Sequence, residues 1–150
     1  MSAALSRSAL LLRAGERTCA LHLPDVLEIM HPLPVAAVAS APAFVEGLSM
    51  IRGAPTPVVS LASLLASPGG SATRFVVVRA GERRVALTVD EVLGVFELDP
   101  ATLHALPPLV QTAAGAVEAV GALDAQLLLV LSSGRIVPDE VWQELALPKL

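Results

Sequence analysis

Residues Leu10–Met30 read LLLRAGERTCALHLPDVLEIM, and residues Val76–Phe96 read VVVRAGERRVALTVDEVLGVF. Aligning Arg13 with Arg79 gives an offset of 66 residues and nine identities over 21 positions. These are Arg13/Arg79, Ala14/Ala80, Gly15/Gly81, Glu16/Glu82, Arg17/Arg83, Ala20/Ala86, Leu21/Leu87, Val26/Val92 and Leu27/Leu93. A composition rich in Ala, Leu and Val yields about two by chance. Two copies are too few for a solenoid and suit two similar subdomains about a pseudo-twofold axis. Within each copy a turn at Gly-Glu separates two apolar runs. Cys19, Leu21 and Leu23 alternate with Thr18 and His22, as Val85, Leu87 and Val89 do with Arg84 and Thr88. A period of two, found twice, predicts half-buried strands with the first set inward.

Working outward, Pro24-Asp25 turns the chain into a strand over Val26–Met30, matched by Glu91–Leu98. Residues His31–Phe44 carry Pro32, Pro34 and Pro42 and read as a loop. Strands follow over Val45–Ile51 and Pro55–Leu61, with Gly53 in the turn between them and Pro55 and Pro57 placing the second at a sheet edge. Leu61–Ala66 suits one helical turn, and Ser67–Thr73, containing Pro68-Gly69-Gly70, is a linker. In the second half, Asp99 caps a short helix opened by Pro100 within the connection Asp99–Gly115. Val117–Leu123 and Ala125–Leu131 complete the strands. Ser132-Ser133-Gly134 turns out of the sheet, and Pro138 opens a terminal helix with Asp139 and Glu140 in its first turn. The stripe Val137, Val141, Leu145, with Trp142 beside it, is that helix's buried face. Five short strands, a linker, five short strands and a helix predict an all-β chain of two small five-stranded barrels packed on one another.

A chain of 150 residues with 54% hydrophobic content fills one domain or two small ones sharing a core. A formal charge of −4 without a basic cluster argues against nucleic-acid binding. No uninterrupted apolar stretch is long enough to span a membrane, and Met1–Ser8 lacks a signal-peptide pattern, so a cytoplasmic location is expected. Cys19 is the single cysteine, which excludes an internal disulfide.

The residues speak against catalysis. His22, His31 and His104 show no metal-ligand spacing. Cys19 aligns with inward Val85 and reads as a small buried hydrophobe rather than a nucleophile. Asp25 and Asp90-Glu91 follow strands, where turn and capping roles suffice, and no phosphate-binding or dinucleotide fingerprint is present. No catalytic residue, metal site or cofactor is expected. The long apolar connections Ile29–Val45, Gly53–Thr73 and Pro100–Val117 instead suggest a protein-binding module. A small-molecule-binding barrel is the other reading; it requires a cavity with converging polar groups. Arg52 stands out as the sole charge between Glu46 and Arg74, on a turn where Gly53 lets a partner come close.

Four motifs carry a specific resemblance over nearly the whole chain. They are Cys19-Ala20-Leu21-His22-Leu23 with Val26-Leu27-Glu28-Ile29; Ala41-Pro42-Ala43-Phe44-Val45-Glu46-Gly47; Ile51-Arg52-Gly53 with Pro57-Val58-Val59 and Leu61; and Leu87-Thr88-Val89-Asp90-Glu91-Val92. In this order and spacing they resemble the CheW family, the coupling proteins of bacterial chemosensory arrays. The sequence departs from the family pattern at Ser49, where Asn is common, and at Ser60-Leu61-Ala62, where an Asp-Leu-Arg run is common.

The resemblance implies one domain over residues 1–150. Its SH3-like barrels fall at about 8–66 and about 74–131, the linker at 67–73 and the C-terminal helix at about 137–146. It implies a non-catalytic scaffold, acting in a two-component signal-transduction system, that couples methyl-accepting chemoreceptors to the regulatory domain of the histidine kinase CheA. A non-flagellar chemosensory system serving motility, pili or gene regulation is the alternative setting. The implied location is cytoplasmic, tied to membrane-bound receptor arrays through partners, without membrane insertion. Receptor binding is implied for Arg52, Gly53, Ile51 and Val89, and kinase binding for Glu46, Gly47, Val59 and Leu61.

Overall fold

A computed structural model describes residues 7–39, 41–67, 70–105 and 115–145. Among the described residues ten strands form: β1 (Arg7–Ala14), β2 (Arg17–His22), β3 (Val26–Met30), β4 (Val45–Ile51), β5 (Ala54–Ser60), β6 (Arg74–Ala80), β7 (Arg83–Val89), β8 (Glu91–Leu98), β9 (Val117–Leu123) and β10 (Gln126–Leu131). Two short helices join them, α1 (Leu61–Leu64) and α2 (Asp139–Leu145). The expected linker residues Pro68-Gly69, residues 106–114 of the Asp99–Gly115 connection and residue 146 of the terminal helix lie outside the described residues.

Local chemistry accounts for the element ends. Gly15 (φ 60°) and Gly81 (φ 66°) each open a two-residue hairpin turn, the left-handed first position that glycine supplies. The Ser60 hydroxyl caps α1 by accepting from the Ser63 amide at 3.2 Å. The Asp99 carboxylate accepts from the Ala101 amide at 3.0 Å and caps a 3-10 turn over Pro100–Thr102. In α2, Val141 and Trp142 are buried.

The sheets have strand orders β8-β1-β2-β10-β9 and β3-β6-β7-β5-β4. Adding five to each label of the second order, counting cyclically through the ten strands so that 11 and 12 return to 1 and 2, reproduces the first, so the repeat is genuine and both copies have the same topology. The copies are interleaved, however. Hairpin β1–β2 completes its sheet with β8, β9 and β10, while β6–β7 pairs with β3, β4 and β5. The expectation of one barrel per sequence half, 8–66 and 74–131, is therefore corrected to two five-stranded units that each draw on both halves. When two copies are alike, a third strand can pair with either copy's hairpin, and the repeat alone does not say which. The three-residue turn Leu23–Asp25 and the single residue Asp90 carry the chain from one sheet to the other.

Strand β5 is also corrected. It lies inside its sheet, between β7 and β4, despite Pro55 and Pro57. Its parallel ladder with β7 covers Val58–Ser60 alone, so both prolines precede that ladder and no donor is missed.

The central strands β1, β2, β6 and β7 are buried on both faces, not one. The main apolar cluster takes Leu10, Leu12, Cys19 and Leu21 from the first sheet and Val76, Val78, Val85 and Leu87 from the second, and so joins the two. The intervening residues Ala9, Leu11, Ala20 and Val130 fill a second cluster within the first sheet, and Val58, Phe75, Val77 and Ala86 do so in the second. Thr18 and Thr88, expected outward, are buried as well. A central strand of a curled sheet meets apolar side chains on both sides, which the period of two does not reveal.

Candidate protein-interaction site

The β4–β5 turn is Arg52-Gly53, and both residues have positive φ, 53° and 79°. This is the mirror-image turn that matches strand twist in two-residue hairpins, and an arginine is an uncommon occupant. The equivalent turn of the other copy, Asp124-Ala125, repeats the conformation at 49° and 67°. The Arg52 side chain reaches across to β3, at the opposite edge of its sheet. Its Nε donates to Glu28 Oε2 at 3.1 Å and its Nη2 to Glu28 Oε1 at 2.9 Å. The planar fork fits the carboxylate with two parallel bonds and ties the two edges of the sheet together. That hydrogen bond holds the Glu28 carboxyl below the usual carboxylate range against partial desolvation, with the charges of Arg52 and Arg84 adding to it. The same bond raises the Arg52 pKa. The Arg52 side chain remains 70% exposed, and its Nη1 group is not used by Glu28.

The two edge strands that the pair joins also expose apolar side chains: Leu27 and Ile29 on β3, and Met50 on β4. Beside Met50 an open hollow of about 380 Å³ is lined mainly by Leu33, Pro34, Val35 and Leu48. The connection forming it is pinned down. Ala36 and Leu48 exchange backbone hydrogen bonds at 2.8 and 2.9 Å, and the Ser49 hydroxyl donates to the Pro34 carbonyl at 2.7 Å. A Cβ on Gly47 (φ 147°) would lie 2.0 Å from the Ala36 oxygen, so this crossing requires glycine. The pseudo-equivalent strand β8 exposes Leu93 and Val95, the counterparts of Leu27 and Ile29, together with Phe96.

The implied site residues divide sharply. Arg52, Gly53 and Glu46 are exposed. Ile51, Val89, Val59 and Leu61 are at most 1% exposed and Gly47 is buried, so these five lie beneath the surface of this chain. The alternation of β4 and the double burial of the central strands put them there. Two features escaped the sequence reading: the partnership of Glu28 with Arg52, which are 24 residues apart and carry no spacing signal, and the matched apolar pairs on β3 and β8. The second was available from the 66-residue offset.

His22, expected outward, contacts Glu118 through Nε2 at 3.1 Å. Burial pushes the Cys19 thiol up to about 12, with Arg17 opposing, which removes the thiolate a nucleophile needs. Among the described residues no group of three or more His, Cys, Asp or Glu side chains converges. No helix among them is long and apolar enough to cross a membrane.

Residues 8–141 match the family model for the CheW-like domain. The chain is 27% identical over 135 residues to a chemotaxis protein CheW of Klebsiella aerogenes, covering 87% of this chain and 81% of that one. It is 28% identical over 106 residues to a probable chemotaxis protein CheW of Rhizobium etli, covering 69% and 68%. The fold superposes on the crystal structure of the scaffolding protein CheW of Thermoanaerobacter tengcongensis with a TM-score of 0.79 at 20% identity, covering 89% of this chain and 94% of that chain. Matched along nearly its whole length, and carrying two five-stranded sheets of the same architecture, the chain belongs to the CheW-like domain family.

Proposed function

We propose that this protein is a non-catalytic adaptor that couples methyl-accepting chemoreceptors to the regulatory domain of the histidine kinase CheA. Family membership supports the reading, and one observation carries it to particular residues. The exposed Arg52–Glu28 pair ties together two edge strands that also turn Leu27, Ile29 and Met50 to solvent. Solvent-facing apolar side chains rimmed by charge are what a docking surface needs. The second apolar strand, β8, gives the molecule two such faces, as an adaptor between two partners requires. Arg52 and Gly53 contact the receptor tip in this reading, and Glu46, on the exposed side of β4, contacts the kinase. The protein works in the cytoplasm, attached to receptor arrays through its partners.

The test is titration of the wild type and of Arg52→Ala with a receptor-tip fragment and, separately, with the CheA regulatory domain. Receptor affinity should fall about tenfold while the kinase contact persists. Unchanged receptor affinity removes Arg52 from that interface; no binding of either partner by the wild type removes the adaptor reading.

A further inference from the structure

The two hairpins at the heart of the repeat are alike in backbone and differ in what covers them. At the first, Arg13 Nη2 lies 3.1 Å from Glu91 Oε1 and its Nη1 3.6 Å from Asp90 Oδ2. Asp90 Oδ1 also accepts from the Gly15 amide at 3.0 Å, and the Ser67 hydroxyl accepts from the Glu16 amide at 2.9 Å. Ser67 lies so tightly on this turn that a Cβ on Gly15 would be 1.9 Å from its backbone oxygen. The hairpin is an anchor for a carboxylate and a nearby hydroxyl, and this protein fills it with its own residues.

The second hairpin has the same Arg-Ala-Gly-Glu-Arg run, Arg79–Arg83, and is open among the described residues, where a Cβ on Gly81 would meet nothing within 4 Å. Pro24 and Asp25 stand where Asp90 and Glu91 serve the first copy; Pro24 carries no charge, and Asp25 makes no ion pair with Arg79 among the described residues. Thr18 of the first copy is replaced by Arg84, which sits directly across the ladder from Arg79. Like charges in that position repel. Glu28 is close enough for Arg84 to act on its titration, yet both its oxygens are taken by Arg52. Arg83 is held by the face of Trp142, its guanidinium carbon 4.7 Å from the ring centroid, with its buried Nε unbonded. Arg79, Arg83 and Arg84, with Leu27, Gly81 and Glu82, line an open cavity of about 310 Å³. Glu82 has an interaction of its own. Three guanidiniums thus gather on one turn of a chain whose net charge is −4.

We propose that the β6–β7 hairpin docks an acidic segment of a partner protein, one of whose carboxylates takes at Arg79 and Gly81 the place that Asp90 takes at Arg13 and Gly15. Arg84 adds the second counter-charge, and Leu27, exposed at the cavity wall, receives an apolar neighbour of that carboxylate. The exposed Leu27 in the cavity wall argues for a peptide rather than a lone anion, because it offers a place for an apolar neighbour of the carboxylate. The inference stands on the internal comparison and is independent of the adaptor reading.

The test uses the full chain and a fluorescein-labelled peptide of alternating aspartate and serine. Its asparagine–serine counterpart is the neutral control and inorganic phosphate the competitor. The aspartate peptide should bind, more weakly as salt rises, and the asparagine peptide should not. Arg79→Gln and Arg84→Thr should each weaken binding about tenfold, Arg84→Thr restoring the residue of the first copy. Arg74→Gln, outside the cavity at the other end of β6, should bind as the wild type does. Equal binding of both peptides, or full affinity in both arginine variants, overturns the proposal. So does phosphate that binds more tightly than the peptide, which makes the cavity a small-anion site.

Discussion

Replacing Asp90 by alanine tests the interleaved fold at its junction. Asp90 is the single residue between β7 and β8, its side chain is 6% exposed, and its carboxylate serves three groups. Oδ1 accepts from the Gly15 amide at 3.0 Å, Oδ2 from the Ser71 amide at 2.9 Å, and Arg13 lies 3.6 Å away. Alanine leaves the buried Gly15 donor unpaired and frees the linker at Ser71. At about 1.5 kcal/mol for each hydrogen bond to a charged acceptor, the two amides alone set a loss of about 3 kcal/mol. The Arg13 contact adds little, because that side chain is 41% exposed. Asparagine retains one acceptor and turns a donor toward the other amide, so Asp90→Asn should cost about 2 kcal/mol. Gly70 supplies an internal check. It has φ 71°, and a Cβ there would fall 1.8 Å from Asp90 Oδ2. Gly70→Ala should therefore be less harmful in the Asp90→Ala background than alone, a coupling that a double-mutant cycle reads directly. The assay is urea unfolding followed by Trp142 fluorescence, with linear extrapolation. An Asp90→Ala protein within about 0.5 kcal/mol of wild type, or additive Gly70 and Asp90 changes, refutes the clasp.

Cys19→Val should change stability at neutral pH by less than about 1.5 kcal/mol, since the second copy packs Val85 at that place. Folding raises the thiol from 9.0 to about 12, so the stability it lends is whole below pH 9.0 and lost as pH rises toward 12. Cys19→Val should flatten that alkaline decline, and an unaltered slope in urea titrations would contradict it. The Glu28 carboxyl, held down by Arg52, should titrate below 4.5 by carboxyl-detected NMR and move back up in Arg52→Ala. Its contribution to stability is present above 4.5 and lost as pH falls through the folded value; an unmoved titration would show that the pair does not form in solution. Trp142→Ala should cost about 3 kcal/mol by removing a large buried side chain together with its contact to Arg83, and calorimetry showing a near-native melting temperature would count against docking of α2.

Much of the fold was legible in the sequence because hairpins announce themselves locally. The turns at Gly15, Gly53 and Gly81, the Asp99 and Asp139-Glu140 helix starts and the strand periods all follow from neighbouring residues. Which hairpin a third strand joins is decided by tertiary contact between near-identical copies, and nothing local encodes it. The same holds for the site. Arg52 was conspicuous as an isolated charge, but its tie to Glu28 is made by closure of the sheet. Val59, Leu61, Ile51 and Val89 sit in or beside the same motifs and proved to be core, because a motif records both the surface and what supports it.

The interleaved order also sets a timetable for synthesis. Strands β3 to β7 are contiguous, Val26–Val89, so their sheet can close as soon as those residues have left the ribosome. Hairpin β1–β2 is made first and finished last. Its neighbours β8 and β10 arrive only with the C-terminal half, and until then both of its edges are bare. The sheet that is complete early is the natural cover for the apolar face of that waiting hairpin, through Val76, Val78, Val85 and Leu87. A ribosome-stalled chain ending after β7 should thus present a finished barrel carrying an unfinished one, with the nascent edges of β1 and β2 as the places a chaperone would guard.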